Sequence, residues 1–237
     1  MKEAFLSNYL QKEARKSLVT CLAWIMVALA LLVAGTAAGV TFIILPGAVI
    51  FVISILVVTR RGPIYATHRC GVHGERVLRA HLLSSGLSDE YTAYYNFPVN
   101  GNGGIFDIDC ILVGPSGVYV FEVKHHHGLI LHRNGNWARI KVGRRGTPYR
   151  GQLGNPSGQL SRTIRKLKEL LGQAHVDGLW LHGAIIFTNP RAALDIGELR
   201  WVKAVMVKDL NQVLSGRMSL STDQTDRVKT CLAAFAK

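Results

Sequence analysis

Apolar and polar positions divide this chain into two unlike stretches. From Ser17 to Thr59, 43 consecutive residues include no Asp, Glu, Lys, Arg or His. As helix that run would measure roughly 65 Å, about twice the roughly 30 Å core of a bilayer. The length predicts two crossings, Leu18 to Ala34 and Val40 to Val58, turning through the small residues Gly35-Thr36-Ala37-Ala38-Gly39. Pro46-Gly47 falls inside the second span, where it either kinks the helix or makes the segment re-entrant.

Beyond Thr59 the apolar positions become periodic. Residues 60–70 read as a basic connector, and Val77, Leu78, Leu82 and Leu83 then have helical spacing. Tyr91 to Val99 and Ile105 to Val113 read as strands. Val118 to Lys124 is a third, entered from the turn Gly114-Pro115-Ser116-Gly117. Asn134-Gly135 predicts a type I′ hairpin between Leu129–Arg133 and Trp137–Val142. Asn155 and Pro156 predict the start of a helix with an apolar stripe at Leu160, Ile164, Leu167 and Leu171. Trp180 to Thr188 and Val202 to Val207 read as further strands, and Ser221 with Gln224 forms a capping box for a last helix. The expected class is α/β: a two-helix transmembrane hairpin at 17–59 behind a basic segment at 1–16, then a mixed-sheet domain flanked by helices. Its core is expected at 71–171, and 172–237 completes it.

Charge sharpens this division. Lys2, Lys12, Arg15 and Lys16 precede the apolar run and Arg60 and Arg61 follow it. The positive-inside rule then places both termini and the folded domain in the cytoplasm, facing the inner membrane if the source is bacterial. The competing reading is a cleaved signal peptide ending near Thr36-Ala37-Ala38, although its apolar region would be too long. The four cysteines show no C-x-x-C spacing, which excludes a zinc ribbon and gives no disulfide framework.

On the third strand Glu122 and Lys124 share a face with Val118 and Val120, a costly placement unless the charges are paired or hold an ion. Hairpin pairing brings Asp109 beside Glu122. Two carboxylates with the carbonyl of Val123 make a hard-oxygen site suited to Mg²⁺ or Mn²⁺, and the lysine is placed to orient an attacking water. The bland alternative is a Glu–Lys pair at a sheet edge and an Asp in a turn. Asp107, on the same strand face, is a rival for the metal.

Gly71-Val72-His73-Gly74-Glu75, Ile108-Asp109, Gly117 to Lys124, Gly128, Trp137 and Asn155-Pro156-Ser157-Gly158-Gln159 together resemble the nuclease-related domain, NERD, in that family's order. NERD in turn is similar to the PD-(D/E)XK nuclease superfamily. The resemblance implies a restriction-endonuclease-like fold with Asp109 and Glu122 on the metal and Lys124 serving the water. It also implies Gln159 as a further polar site residue and Glu75 as an extra ligand. His125, His126 and His127 depart from the family pattern, which usually has a small polar residue after the lysine.

From Val123 to Lys168 there are 11 basic residues and no acidic one. Among them Arg144, Arg145, Arg150, Arg162 and Lys166 are candidates for contacting nucleic acid, DNA before RNA, with a salt-sensitive affinity. Anionic lipid is the alternative ligand, since a basic domain tethered to a membrane gains about 1 kcal/mol per nearby Lys or Arg. The expected activity is membrane-anchored, metal-dependent hydrolysis of nucleic-acid phosphodiesters. The alternatives are a non-catalytic tethered nucleic-acid-binding module and a basic scaffold for lipid or protein.

Overall fold

The computed structural model describes residues 1–5, 9–39, 41–101, 104–215 and 220–235. They form two units, one of residues 8–70 and one of residues 1–7 together with 71–237.

The first unit is helical. α1 (Tyr9–Ala38) turns at Gly39, whose φ of +66° favours glycine, into α2 (Thr41–Ser84). The small-residue stretch expected to form the loop is therefore the last turn of α1. There Thr36 donates its hydroxyl to the carbonyls of Leu32 and Val33. α2 continues as helix through Pro46-Gly47 and through the expected connector 60–70. Gly47 marks a close approach of the two helices, since a Cβ there would lie 3.2 Å from Leu32 Cγ and 3.3 Å from Leu31 Cβ. The outer surface is apolar: Val19, Leu22, Trp24, Met26, Val33, Leu45 and Val49 are all exposed, while Ala28 and Ser54 are buried. That is the reverse of a water-soluble helix pair. Val19–Ala38, 20 residues, is long and apolar enough to span a bilayer, whereas the apolar helix Ile44–Val57 falls short of the roughly 20 residues required.

The second unit is mixed α/β. Its strands are β1 (Lys2–Phe5), β2 (Thr92–Gly101), β3 (Gly104–Gly114), β4 (Gly117–Lys124), β5 (Gly128–Arg133), β6 (Asn136–Val142), β7 (Pro148–Gly151), β8 (Leu181–Phe187), β9 (Ala192–Ile196) and β10 (Val202–Met206). The helices α3 (Pro156–Gln173), α4 (Asn211–Leu214) and α5 (Thr222–Phe235) complete it. Six strands form one sheet in the order β1-β2-β3-β4-β8-β10, and four form another in the order β7-β6-β5-β9. β2, β3 and β4 are antiparallel neighbours, while β4–β8, β8–β10 and β1–β2 are parallel.

Local chemistry accounts for the boundaries. Asn134 and Gly135 both have positive φ, as a type I′ turn requires. Asn155 Oδ1 accepts the Gly158 N–H at 2.9 Å and starts α3. Ser221 and Gln224 exchange backbone-to-side-chain bonds of 3.0 and 3.2 Å at the start of α5. One face of the large sheet packs Val118, Val120 and Ile185 against Leu160 and Leu167 of α3. The other packs Tyr119, Phe121 and Ile186 against Leu78 and Leu82 of α2. Trp180, expected to begin a buried strand, lies outside β8 and is exposed beneath Lys168.

Candidate active site

The antiparallel ladder between β3 and β4 runs from Gly114↔Gly117 to Cys110↔Phe121 and ends there, while β4 stays paired with β8 as far as Lys124↔Phe187. β3 and β4 therefore part at Asp109. The β2–β3 ladder also passes over this residue, stepping from Tyr95↔Cys110 to Phe97↔Ile108. Asn96, opposite Asp109, has φ +53°, a left-handed conformation that asparagine tolerates better than most residues. Tyr95 and Cys110 belong to the α2-side core and Phe97 and Ile108 to the α3-side core, so both strands change face at this point.

Asp109 takes over the interrupted ladder with its side chain: Oδ2 accepts the Val123 N–H at 2.7 Å. The N–H and C=O of a strand residue project to the same side, so the Val123 carbonyl also faces the fork. Glu122 and Lys124, two apart on β4, share a face and pair at 2.6 Å, with side chains 13% and 15% exposed. Glu75 comes from α2, whose backbone reaches this end of β4 because residue 74 is glycine. A Cβ there would lie 2.9 Å from both His125 Cβ and Thr188 Oγ1 and 3.2 Å from Val123 Cγ1.

Burial disfavours the charged form of three carboxyls around the fork. Burial pushes the Asp109 carboxyl well above the usual carboxylate range, and the charges of Glu122 and Glu75 add to this against the Val123 N–H and Lys124. Burial also raises Glu75, with Asp107 adding to the shift and the Asn96 amide opposing it. Asp107 is raised by burial, and its Oδ1 has no hydrogen-bond partner among the described residues. Asp107 acts on Glu75, while Asp109 answers to Glu122, Glu75 and Lys124 together. That separates Asp109 from its rival. Buried hard oxygens beside Lys124 are the donor type a divalent cation takes, and Asp109, Glu122 and the Val123 carbonyl would hold it, with Glu75, next to Arg76, at the margin. Among the described residues no three acidic, histidine or cysteine side chains are already gathered as a cage.

Gln159 lies on the first turn of α3, half-buried beside Leu160. None of the described hydrogen bonds joins its amide to the carboxylates. The three histidines have structural partners. His125 meets Thr188 Oγ1 at 3.0 Å, Asn189 Nδ2 at 3.3 Å and the His73 ring at 4.7 Å. His126 Nδ1 accepts from Arg139 at 3.0 Å, and the His127 carbonyl accepts from Arg139 at 2.8 Å. Burial, and then the Arg139 charge, push His126 down to about 4.

Asn96 has no role in the reading of the sequence, and Arg139 enters it only as one of the 11 basic residues from Val123 to Lys168. The signal for Asn96 was a lone amide inside the aromatic stretch Tyr91 to Val99. For Arg139 it was alternation with Trp137 on the inward face of β6, where the residue is only 6% exposed. Arg139 thus leaves the basic surface. Lys166 pairs with Glu169 at 2.7 Å, and Arg133 is held by Asp195. Arg144, Arg145, Arg150 and Arg162 are exposed.

Residues 71–188 match the nuclease-related domain family. The chain carries a nuclease-related domain. The match holds every candidate ligand, Lys124 and Gln159, and excludes β1. A similar protein is a probable kinase, PglW, of Streptomyces coelicolor, 30% identical over 118 residues. The aligned part is 49% of this chain but only 7% of that relative, so the chain spans a small fraction of its length. No solved structure matches the chain.

Proposed function

We propose that this protein is a membrane-anchored, metal-dependent nuclease of the restriction-endonuclease-like type, acting on DNA in preference to RNA from the cytoplasmic side. The observation that carries this reading is the meeting of Asp109, Glu122 and Lys124 where β3 and β4 part, inside the nuclease-related domain. Asp109, Glu122 and the Val123 carbonyl hold Mg²⁺ or Mn²⁺, with Glu75 as an additional ligand. A divalent cation there supplies charge neutralisation on the phosphate oxygens and acidifies water. Lys124, turned from Glu122, would orient the attacking water by hydrogen bonding, the water's proton passing to bulk solvent as its oxygen attacks phosphorus. Gln159 contributes a polar contact from α3. Arg144, Arg145, Arg150 and Arg162 engage the phosphate backbone, and Lys166 joins them where substrate competes with Glu169.

The anchor is the apolar hairpin. β1 precedes it and pairs with β2, which follows it, so both ends of residues 8–70 return to one folded unit. A chain that leaves and re-enters the same domain crosses a bilayer an even number of times or enters without crossing. This supports the hairpin and counts against a cleaved signal peptide. Incubating the full chain with linear, circular and single-stranded DNA in Mg²⁺, Mn²⁺ or EDTA tests the activity. Products that appear only with metal support it.

A second reading, a tethered nucleic-acid-binding module without turnover, is favoured by the closed Glu122–Lys124 pair. It predicts salt-sensitive binding and no EDTA-sensitive product.

A further inference from the structure

The four-stranded sheet borders a cleft that the candidate active site does not use. It holds about 680 Å³, within the size range of small-molecule sites, and is lined by the β5–β6 turn, the first turns of α3 and the β9–β10 loop. Gly197 of that loop donates its N–H to the His132 carbonyl at 3.2 Å, and Ser157 of α3 accepts the Trp137 indole N–H. Both walls are thus fixed to the hairpin.

Several lining groups are unspent. Pro156 has no N–H, Asn155 Oδ1 takes the Gly158 N–H, and the Gln159 N–H returns to the Asn155 carbonyl. That leaves the Ser157 N–H as a first-turn donor with no partner among the described hydrogen bonds. His132 is 6% exposed, and its Nδ1 likewise has no partner among the described residues. A bound polar group removes the cost of such an orphan. Trp201 is 48% exposed, with no ring or cation stacked on it among the described residues, and Arg200 beside it has no ion pair there. Arg133, by contrast, is held by Asp195.

These parts fit a nucleotide. A helix N-terminus and an unpaired guanidinium take a phosphate, and an open indole face takes a base. Glu198, the one carboxylate among the described lining residues, accepts from a base amine or a sugar hydroxyl and repels further phosphate, which favours one nucleotide unit over a polyphosphate. A paired base offers no free face, so the strand is single. The cleft is also tied to the fork: the His132 ring stands 4.8 Å from Trp137, Trp137 stands 6.3 Å from Phe187, and Phe187 is the strand partner of Lys124.

We infer that this cleft is a nucleotide subsite, in which Trp201 stacks on an unpaired base of a nucleic-acid strand while Arg200 and the first turn of α3 take its phosphate. It rests on the nuclease reading, because the nucleotide belongs to the strand that the fork cuts.

The test uses the full chain in detergent and EDTA, with tryptophan fluorescence followed as a short single-stranded thymidine oligonucleotide is added. Wild type is expected to bind with quenching. Trp201→Ala loses that quenching and weakens affinity by about 10-fold, Trp201→Phe recovers most of the affinity, and Trp180→Ala, at another exposed indole, keeps it. Arg200→Gln lowers the salt dependence by about 0.7 in log–log slope. Wild-type affinity in Trp201→Ala, equal losses in Trp201→Ala and Trp180→Ala, or no binding by wild type overturns the inference, and an unchanged slope in Arg200→Gln overturns its phosphate contact. Cleavage plays no part in this titration. Binding that depends on Trp201 without any Mg²⁺-dependent product upholds the cleft and removes the nuclease reading, whereas metal-dependent product with binding indifferent to Trp201 does the reverse.

Discussion

In the six-stranded sheet, β3 and β4 hold Asp109, Glu122 and Lys124 in largely enclosed positions. In the four-stranded sheet, the β6–β7 turn carries Arg144 and Arg145, and β7 carries Arg150, all in the open. The two regions use charge under different physical rules. At the fork each charge is desolvated and answers to its neighbours, so removing one changes the others. At the turn each charge is solvated and nearly independent. Single substitutions should therefore act sharply in the first region and gradually in the second.

The largest contrast is expected from Asp109→Asn. Cleavage falls by about 100-fold or more as a ligand charge is lost. The amide oxygen still accepts the Val123 N–H, so metal-free stability rises. The sign follows from the raised Asp109 pKa: the unfolded carboxyl ionises first, and the native state is penalised increasingly as pH rises above about 4. Thermal melts in EDTA from pH 5 to 8 should show a gain for Asp109→Asn that grows with pH. A loss at pH 8 would mean that the buried charge is fully compensated without metal.

Gly74→Ala tests how tightly the fork is backed by α2. With a Cβ 2.9 Å from His125 Cβ and Thr188 Oγ1, overpacking should cost about 1–3 kcal/mol in denaturant unfolding. The glycines of the Gly143–Gly146 turn offer a control on the other region, since a Cβ at Gly146 meets nothing within 4 Å, although its φ of +78° adds strain.

His126 joins the two regions through Arg139. Its pKa is pushed down to about 4, so below the ordinary value near 6.5 the unfolded chain takes up a proton that the native chain refuses. Stability should fall as pH drops from about 6.5 to 4, by about 1–2 kcal/mol for a partly solvated ring. His126→Gln, which keeps an acceptor for Arg139, should flatten that part of the pH curve.

The smallest effect belongs to the exposed turn. Arg144→Ala and Arg145→Ala should each weaken DNA binding a few-fold and reduce the salt dependence by about 0.9 in log–log slope if each contacts one phosphate. Cleavage per bound complex should stay unchanged.

Much of this was legible in sequence because it is encoded locally. Asn134-Gly135, Asn155-Pro156 and the Ser221–Gln224 box each determine a turn or a cap within four residues. The alternation of Val118, Val120, Glu122 and Lys124 gave the shared face directly. Other features depend on distant partners. The pairing of Lys2–Phe5 with Thr92–Tyr95 joins segments separated by the apolar hairpin, and nothing local marks residues 2–5 as a strand. The short strands β7 and β9 are likewise held by their neighbours β6 and β5. Arg139 counts as a surface charge in any composition window, and only the inward register of β6 buries it. The face change at Asn96 and Asp109 needs both strands at once, which explains why Asp109 is named only from its motif and Asn96 not at all.

The central claim is that the fork hydrolyses phosphodiesters with the help of a divalent metal. Mg²⁺-dependent cleavage of labelled DNA by full-length wild type and Lys124→Ala, with DNA binding measured in parallel, tests it most directly. The expected result is cleavage by wild type that EDTA abolishes, and loss of cleavage in Lys124→Ala with binding largely retained. A Lys124→Ala protein that cuts as fast as wild type in Mg²⁺ would contradict the claim.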